Sequence, residues 1–587
     1  MPMAGRFTMM GRAAVLGVAA VVAACGQAPS QGATTAQTAP PVAVEPVKTE
    51  SAFGSYLAGS LAQQEHAYGP AAEYLERALQ KDPNNIDLLR RAFLLRLSEG
   101  EGTRAAALAT HLVAVDPHAG LASLVLLVEQ AKAGDDAAAA SAADRLPPEG
   151  LLRFSAPLIS AWAKAGQHDQ KAAVAALDQY DRMRGFEPLK AFHLALIDDY
   201  LGDTDGASQA YKKVLGDNER LNWRTVDVAG RFLERHGQSE EAKALYERFL
   251  ASDRDNGDLV QPSLARLKAG QVPPATVGSL NDGLAEALFD LASVLNQRDT
   301  QDLALIYARL TLELAPKYVL AQMLIAEIAE SERRLPEALA DYRAIDRASP
   351  FGWTARLRAA EVLDELTRTD DAVGELKQMA AERPTSAQPL IEVADILRAR
   401  NRFPDAVGAY DGAVARVEPS DGRYWSLYYS RGIALERSGN WARAEADFLR
   451  ALELQKDQPL VLNYLGYSWV EKRQHLDRAL KMIERAVELR PNDGYIVDSL
   501  GWAHFQLGDY PQATQYLERA IELLPEDPTI NDHLGDAYWR SGRLAEARYQ
   551  WQRALQFQPE ADEVKTIDAK LDKGLAAPPS ATTSRGG

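Results

Sequence analysis

The chain has 587 residues, too many for one hydrophobic core, so several domains or a repeat array are expected. Apolar residues make up 46% and charged residues 25%, a balance typical of globular rather than disordered proteins. The net charge is −17 and no Lys/Arg-rich run occurs, which argues against nucleic acid as a partner. The single cysteine, Cys25, excludes intramolecular disulfides and multi-cysteine metal sites.

The N-terminus predicts a lipoprotein signal peptide over residues 1–24. Arg6 and Arg12 precede a 12-residue apolar run, which is too short to span a bilayer. The tetrapeptide "VAAC" that follows resembles the bacterial lipobox, in which the cysteine thiol is acylated and the chain is cut just before it. The lipobox residues are Val22, Ala23 and Ala24. The alternative is an ordinary small-residue cleavage site beside an accidental cysteine.

Acylated Cys25 would be the mature N-terminus and the membrane anchor. Each buried CH₂ group contributes about 0.8 kcal/mol, and stable attachment takes more than one acyl chain. Gly26, rather than aspartate, follows the cysteine, which favours the outer membrane of a Gram-negative bacterium over the inner membrane. Residues 25–51 are rich in Ala, Pro, Thr and Gln without apolar periodicity, so they predict a flexible tether. We expect a lipid-anchored protein that faces the periplasm.

A period of 34 residues runs through most of the remaining sequence. Small residues repeat at this spacing, and prolines mark the same phase: Pro83 and Pro117; Pro316, Pro350 and Pro384; Pro491, Pro525 and Pro559. The pattern resembles the tetratricopeptide repeat (TPR), a helical hairpin that must stack on its neighbours to bury its apolar stripe. The resemblance implies an all-α fold, an α-solenoid of about twelve to thirteen TPR-like hairpins that forms a superhelix.

The regularity of this period predicts the domain organisation. It is clear in the C-terminal half, degenerate over 120–256 and broken after residue 256. The predicted segments are an N-terminal array at 52–256, an irregular joint at 257–282, a C-terminal array at 283–561, a capping helix at 562–574 and a disordered tail at 575–587.

The sequence offers little support for catalysis. No HExxH motif, GxSxG elbow or GxxxxGK[ST] phosphate loop occurs, and no two histidines stand three or four residues apart. The segment "DRDNGD" at 253–258 has its glycine one position early for a calcium loop. We therefore predict no catalytic residues, no metal, no cofactor and no small-molecule substrate. An enzyme site in the irregular 120–283 region is the remaining alternative.

The TPR resemblance also implies which residues bind a partner, because certain first-helix positions line the concave groove of that family. Exposed aromatic side chains with a few polar groups suit a peptide or a partner helix. The corresponding residues are Tyr429, Asn463, Tyr467, Tyr495, Asp498, Trp502, Phe505, Asp532, Trp539 and Arg540. The alternative is that several of these side chains pack between neighbouring hairpins.

The run "VLNYLGYSWVEKRQHLDRALKMIERAVELRPNDGYIVDSLGWAHFQLGDY" resembles long TPR lipoproteins of proteobacterial outer membranes, in particular the LbcA-type adaptors. The resemblance implies a non-enzymatic scaffold that binds a periplasmic carboxyl-terminal-processing protease and presents peptidoglycan hydrolases to it. The alternative is a TPR lipoprotein scaffold for exopolysaccharide export or outer-membrane protein assembly.

Overall fold

The computed structural model describes residues 51–147, 150, 152–216, 221–253 and 257–576. Regular structure in these ranges consists of 30 α-helices and a few 3-10 turns, without a strand. The all-α prediction is confirmed. The predicted signal peptide, with Val22, Ala23, Ala24 and Cys25, lies outside the described residues, as do the tether up to residue 50 and the tail beyond residue 576.

Two compact units divide the described chain between Thr369 and Asp370. The first unit contains eight helical hairpins, each a pair of consecutive helices that pack on one another, with α13 between the sixth and the seventh. The helices are α1 (Ala52–Gln64), α2 (Tyr68–Leu79), α3 (Ile86–Glu99), α4 (Gly102–Val115), α5 (Gly120–Lys132), α6 (Asp136–Ala143), α7 (Leu152–Gly166), α8 (Gln170–Leu177), α9 (Glu187–Leu201), α10 (Thr204–Leu215), α11 (Trp223–Arg235), α12 (Ser239–Ser252), α13 (Gln261–Lys268), α14 (Leu280–Leu295), α15 (Gln301–Leu314), α16 (Val319–Ser331), α17 (Leu335–Ala344) and α18 (Gly352–Glu365).

The second unit contains five hairpins, α20–α21 to α28–α29, and a final single helix. Its helices are α19 (Thr369–Glu382), α20 (Gln388–Ala399), α21 (Phe403–Val414), α22 (Trp425–Arg437), α23 (Trp441–Leu454), α24 (Pro459–Glu471), α25 (Leu476–Leu489), α26 (Gly494–Gln506), α27 (Tyr510–Leu523), α28 (Pro528–Arg540), α29 (Leu544–Gln556) and α30 (Ala561–Lys573).

Local chemistry explains the hairpin. In α26–α27, the Asp493 side chain caps the first helix by accepting from the Ile496 backbone N–H. Gly508 lies in the turn between the two helices and has φ +84°, a left-handed conformation that glycine adopts without strain. Gly501 then lets the two helices meet closely, since a Cβ atom there would lie 2.6 Å from Cγ of Leu517. Each 34-residue unit is thereby specified by residues within it.

In the first unit, the hairpin α14–α15 fills the face formed by the first helices of the preceding hairpins. We call this face the inner face of the first unit. Helix α14 packs against α5, α7 and α9, and α15 packs against α3 and α5. Helices α14 and α15 each have buried residues at successive positions around the helix, a pattern typical of a helix that is enclosed on all sides. The N-terminal hairpins therefore enclose a later segment of the same chain.

Buried polar contacts fix this hairpin in place. Trp162 of α7 is fully buried, and its Nε1–H donates to His193 Nδ1 at 3.0 Å. Because the indole can only donate, Nδ1 is unprotonated, and Nε2–H of His193 donates to Asp290 of α14 at 2.9 Å. Arg309 of α15 donates to the Ser98 carbonyl at 3.2 Å, and burial lowers the pKa of this guanidinium. These contacts join α14 and α15 to three of the surrounding helices.

Among the helices in the described ranges, none combines the length and the apolar character needed to cross a lipid bilayer.

Candidate partner-binding groove

The inner face of the second unit is formed by the first helices α22, α24, α26 and α28. Three of the predicted groove residues are buried there rather than exposed. Tyr429 is 5% exposed, and its ring lies among those of Trp425, Phe448 and Tyr464. This tyrosine is part of the core, because the bulky side chain fills the space between α22, α23 and α24. The structure therefore does not place Tyr429 on a binding surface.

Asn463 and Asp498 lie between successive first helices. Asn463 is 4% exposed and its Oδ1 atom has no hydrogen-bond partner. Asp498 is 7% exposed and accepts from His533 Nδ1 at 3.0 Å. Burial between hairpins, the alternative raised for these positions, holds for both side chains. Both side chains lie beneath the surface of the inner face and do not present exposed groups to a ligand.

Trp502 is the centre of the accessible part of this face. Its ring stacks on Phe505 of the same helix, with 4.7 Å between centroids, and on His533 of α28, with 4.0 Å. Its Nε1–H donates to Glu471 Oε1 of α24 at 2.6 Å. The indole therefore connects three consecutive first helices. Both Trp502 and Phe505 remain half-buried, so each ring keeps part of its surface available to a ligand.

Charge reinforces this aromatic stack. Burial alone would lower the pKa of His533, but the charge and hydrogen bond of Asp498, with further contributions from Asp532 and Asp536, raise it overall. The imidazole is thereby biased towards its cationic form, which is attracted to the face of the Trp502 ring. The stack is held by electrostatic attraction as well as by apolar contact.

Tyr467 and Tyr495 are also half-buried on α24 and α26. Tyr495 packs against the apolar core of the hairpins around it. Burial raises the pKa of Tyr495, and the neighbouring Asp527 carboxylate raises it further. Both tyrosines can contribute ring surface to a bound peptide.

The last three predicted groove residues lie beneath the C-terminal segment of the chain itself. Lys570 of α30 donates to Asp532 at 2.7 Å. Trp539 lies against Gly574, where a Cβ atom would overlap the indole. Arg540 donates to the Ala576 carbonyl at 2.5 Å. Helix α30 and the residues after it therefore occupy the position that a partner would take on α28.

The sequence prediction missed the residues that hold the groove side chains in place, namely Glu471, His533, Asp536 and Lys570. Asp536 is buried, accepts from Trp551 Nε1 at 2.9 Å and also binds Lys570. Burial, then the Asp532 charge, raise the pKa of Asp536 to about 6 against the opposing effect of Lys570. The His533–Asp498 contact could have been predicted from spacing, because the two residues are 35 positions apart, close to one repeat.

No group of three or more His, Cys, Asp or Glu side chains within the described ranges is arranged to hold a metal ion. The inner face of the second unit carries stacked aromatic rings, the exposed carboxylate of Glu471 and the half-buried phenols of Tyr467 and Tyr495.

Comparison with known proteins agrees with the repeat architecture. The profile of the Tetratricopeptide repeat family matches residues 311–352, 391–459, 429–494, 470–528 and 499–563. These segments carry tetratricopeptide repeats, which indicate a protein–protein interaction scaffold, a fold that is typically non-enzymatic.

A curated relative, the TPR repeat-containing protein PA4667 of Pseudomonas aeruginosa, is 30% identical over 91 residues. The match spans 16% of this chain and only 15% of that protein. Among solved structures, YrrB, described as a TPR protein with an unusual peptide-binding site, is 22% identical over 33% of this chain and 97% of its own, with a TM-score of 0.27. The Cut9–Hcn1 hetero-tetramer structure is 17% identical over 90% of this chain and 97% of its own, with a TM-score of 0.35.

Proposed function

We propose that the protein is a non-enzymatic adaptor whose second unit binds a peptide or a helix of a partner protein. The observation that carries this proposal is the Phe505–Trp502–His533 stack. It spans neighbouring first helices, and two of its aromatic rings keep part of their surface accessible. Rigid rings bury a large area on binding at a low cost in side-chain entropy, which is why they dominate the energetics of many interfaces.

The accessible binding surface is narrower than the sequence implied. It comprises Tyr467, Tyr495, Trp502 and Phe505, with Glu471 at its edge. Glu471 accepts from Trp502, and its exposed carboxylate can also accept from a backbone N–H or a basic side chain of the partner. The proposed ligand is therefore a peptide or helix with an apolar anchor next to a donor group.

The finer proposal is that the adaptor brings cell-wall hydrolases to a periplasmic carboxyl-terminal-processing protease. The sequence likeness of the C-terminal repeats to LbcA-type adaptors supports it. Holding an enzyme and its substrate on one chain raises their effective concentration without any chemistry by the adaptor.

We further propose that acylated Cys25 anchors the chain to the periplasmic face of the outer membrane. The lipobox-like "VAAC" and the absence of any other cysteine from the sequence support this anchor. In cell fractionation, the Cys25→Ser variant should leave the outer-membrane fraction. A variant that still fractionates with the outer membrane would contradict the anchor.

The groove is tested by co-purification from envelope extract, with residues 50–587 as bait. The variant Trp502→Ala with Phe505→Ala should lose the partner that the unaltered bait retains. Tyr549→Ala is the matched control, since this tyrosine is 60% exposed but lies on the second helix α29. Retention by the double variant would refute the groove.

The identity of the recovered partner tests the finer proposal. A carboxyl-terminal-processing protease together with cell-wall hydrolases would support it. Recovery of polysaccharide-export or barrel-assembly components would be consistent with a scaffold, but it would assign that scaffold to exopolysaccharide export or outer-membrane protein assembly.

A further inference from the structure

Helix α1 exposes an apolar face of unusual size. Phe53 is 70% exposed, Leu61 58%, Leu57 50% and Tyr56 40%. Within the described residues, no other helix carries more than two large apolar side chains that are comparably exposed. Scattered exposed apolar side chains are normal, but a contiguous group marks an interaction site.

Helix α1 buries small residues and exposes large apolar ones, the opposite of an ordinary amphipathic helix. The residues it buries are small, Ser55 and Gly59, and a Cβ atom on Gly59 would lie 2.9 Å from Cδ2 of Leu75. Its large residues point away from α2. Phe53, Leu57 and Leu61 stand at i, i+4 and i+8, so they form one continuous stripe. Such a helix packs closely on its own hairpin while offering its large side chains to another surface.

The two ends of the described chain differ in how the terminal hairpin is covered. At the C-terminal end, α30 covers the last hairpin and buries Ile567 to 2% exposure. At the N-terminal end, α1–α2 is the first described hairpin, and no described helix covers the stripe. A stack of hairpins needs a cover at each open end, which for α1 must come from elsewhere.

If the chain is cut before Cys25, as proposed above, the segment that precedes α1 is a poor cover for the stripe. Between residues 26 and 50, the only branched or aromatic apolar residues are Val42, Val44 and Val47. These small side chains cannot enclose a phenylalanine and two leucines. A lipid surface is also disfavoured, because α1 has no charged residue, whereas interfacial helices carry Lys or Arg on their polar face.

A second copy of the chain would bury too little surface through α1 alone. Four side chains at these exposures offer roughly 400–500 Å² per copy, or about 900 Å² in a symmetric pair. Specific, stable interfaces bury about 1,200–2,000 Å². A groove that encloses a single helix on three sides buries the flanks of the stripe as well and reaches a larger area for the same anchors.

We propose that α1 is a docking helix that inserts Phe53, Leu57 and Leu61 into an apolar, helix-binding groove of a second protein. This site lies in the first unit, so it is separate from the groove of the second unit. Tyr56 flanks the stripe at i+3, where the Arg91 guanidinium lies over its ring, 5.2 Å from the centroid. The recognised feature is apolar shape, and salt should have little effect on the affinity.

The experiment uses the full chain in cells that produce it, with the photo-crosslinking residue p-benzoylphenylalanine at position 53. The crosslinked protein is identified, purified and titrated with the unaltered chain, with Leu57→Glu and with Val272→Glu. Val272 is 69% exposed in the segment between α13 and α14, so it is a matched control for adding a charge to an exposed apolar site. Both positions are exposed, and neither substitution should affect folding.

The proposal predicts a discrete adduct that maps to an apolar groove of a different protein. Leu57→Glu should weaken the binding of that protein at least about 30-fold, and Val272→Glu less than about twofold. The proposal would be overturned by an adduct between two copies of the chain, together with a dimer in sedimentation analysis that Leu57→Glu dissociates. It would also be overturned by the absence of a protein adduct, or by equal affinity of the three chains.

Discussion

The two units use their inner faces differently. In the first unit, α14–α15 fills the face formed by α3, α5, α7 and α9, and hydrogen bonds from the fully buried Trp162 and His193 through to Asp290 hold it there. In the second unit, the described residues place no other helix of that unit across α22, α24 and α26, and Trp502 and Phe505 remain half-buried. The same kind of hairpin therefore supports an enclosed core in one unit and a partly accessible aromatic face in the other. The difference depends on whether another segment of the chain covers the inner face, and not on the hairpin itself.

The largest expected effect comes from disturbing the enclosed hairpin. A Cβ atom on Gly283 of α14 would overlap the buried Trp162 ring, so Gly283→Ala should destabilise the first unit by about 2–3 kcal/mol. Gly408→Ala in α21 is the control, since that Cβ would meet nothing within 4 Å and should add about 0.5–1 kcal/mol of stability. Segment-resolved hydrogen exchange should show faster exchange in α7 and α14 for the first variant alone. Unchanged exchange there would mean that α14 does not pack on α7.

A smaller effect should follow from interrupting the buried polar chain. His193→Leu leaves the Trp162 N–H without an acceptor and Asp290 without a donor, which should cost about 2 kcal/mol. In a double-mutant cycle with Asp290→Ala, the coupling free energy from urea unfolding should be about 1 kcal/mol. Strict additivity would show that the His193–Asp290 hydrogen bond does not hold α14 in place.

The smallest effect concerns pH and the second unit. The folded state raises the pKa of His533, so the imidazolium contributes stability that is complete below the unfolded pKa of about 6.5 and is lost as pH rises through the folded value. Asp536, with a folded pKa of about 6, acts in the same direction but at lower pH, between about 4 and 6. Above about pH 6.5, thermal unfolding of the second unit should therefore shift to lower temperature. His533→Gln should flatten this dependence, and an unchanged slope would assign it to other groups.

The repeat pattern predicts the hairpins well, because their determinants are local. Gly501 approaches Leu517, and Gly432 and Gly466 approach Phe448 and Ile483 in the same way, each within its own repeat. Even the degenerate 120–256 region contains four hairpins, α5–α6 to α11–α12, although its sequence gave only a faint period.

The groove was harder to predict, because its exposure depends on contacts between repeats. Tyr429 fits a groove position in sequence, yet it is buried against Phe448 and Tyr464. The filled inner face of the first unit was not predicted at all. A 34-residue period specifies how a hairpin meets its neighbours, but not that α14–α15 packs against hairpins more than 100 residues earlier.

The contrast between the two inner faces can be measured directly by photo-crosslinking in cells. p-Benzoylphenylalanine replaces Phe505 in one chain and Phe289 of α14 in another, so that an aromatic ring is retained at both positions. We expect crosslinks to a second protein from position 505 and only intrachain crosslinks from position 289, which is 3% exposed. Crosslinks to a second protein from position 289, with none from position 505, would contradict the account.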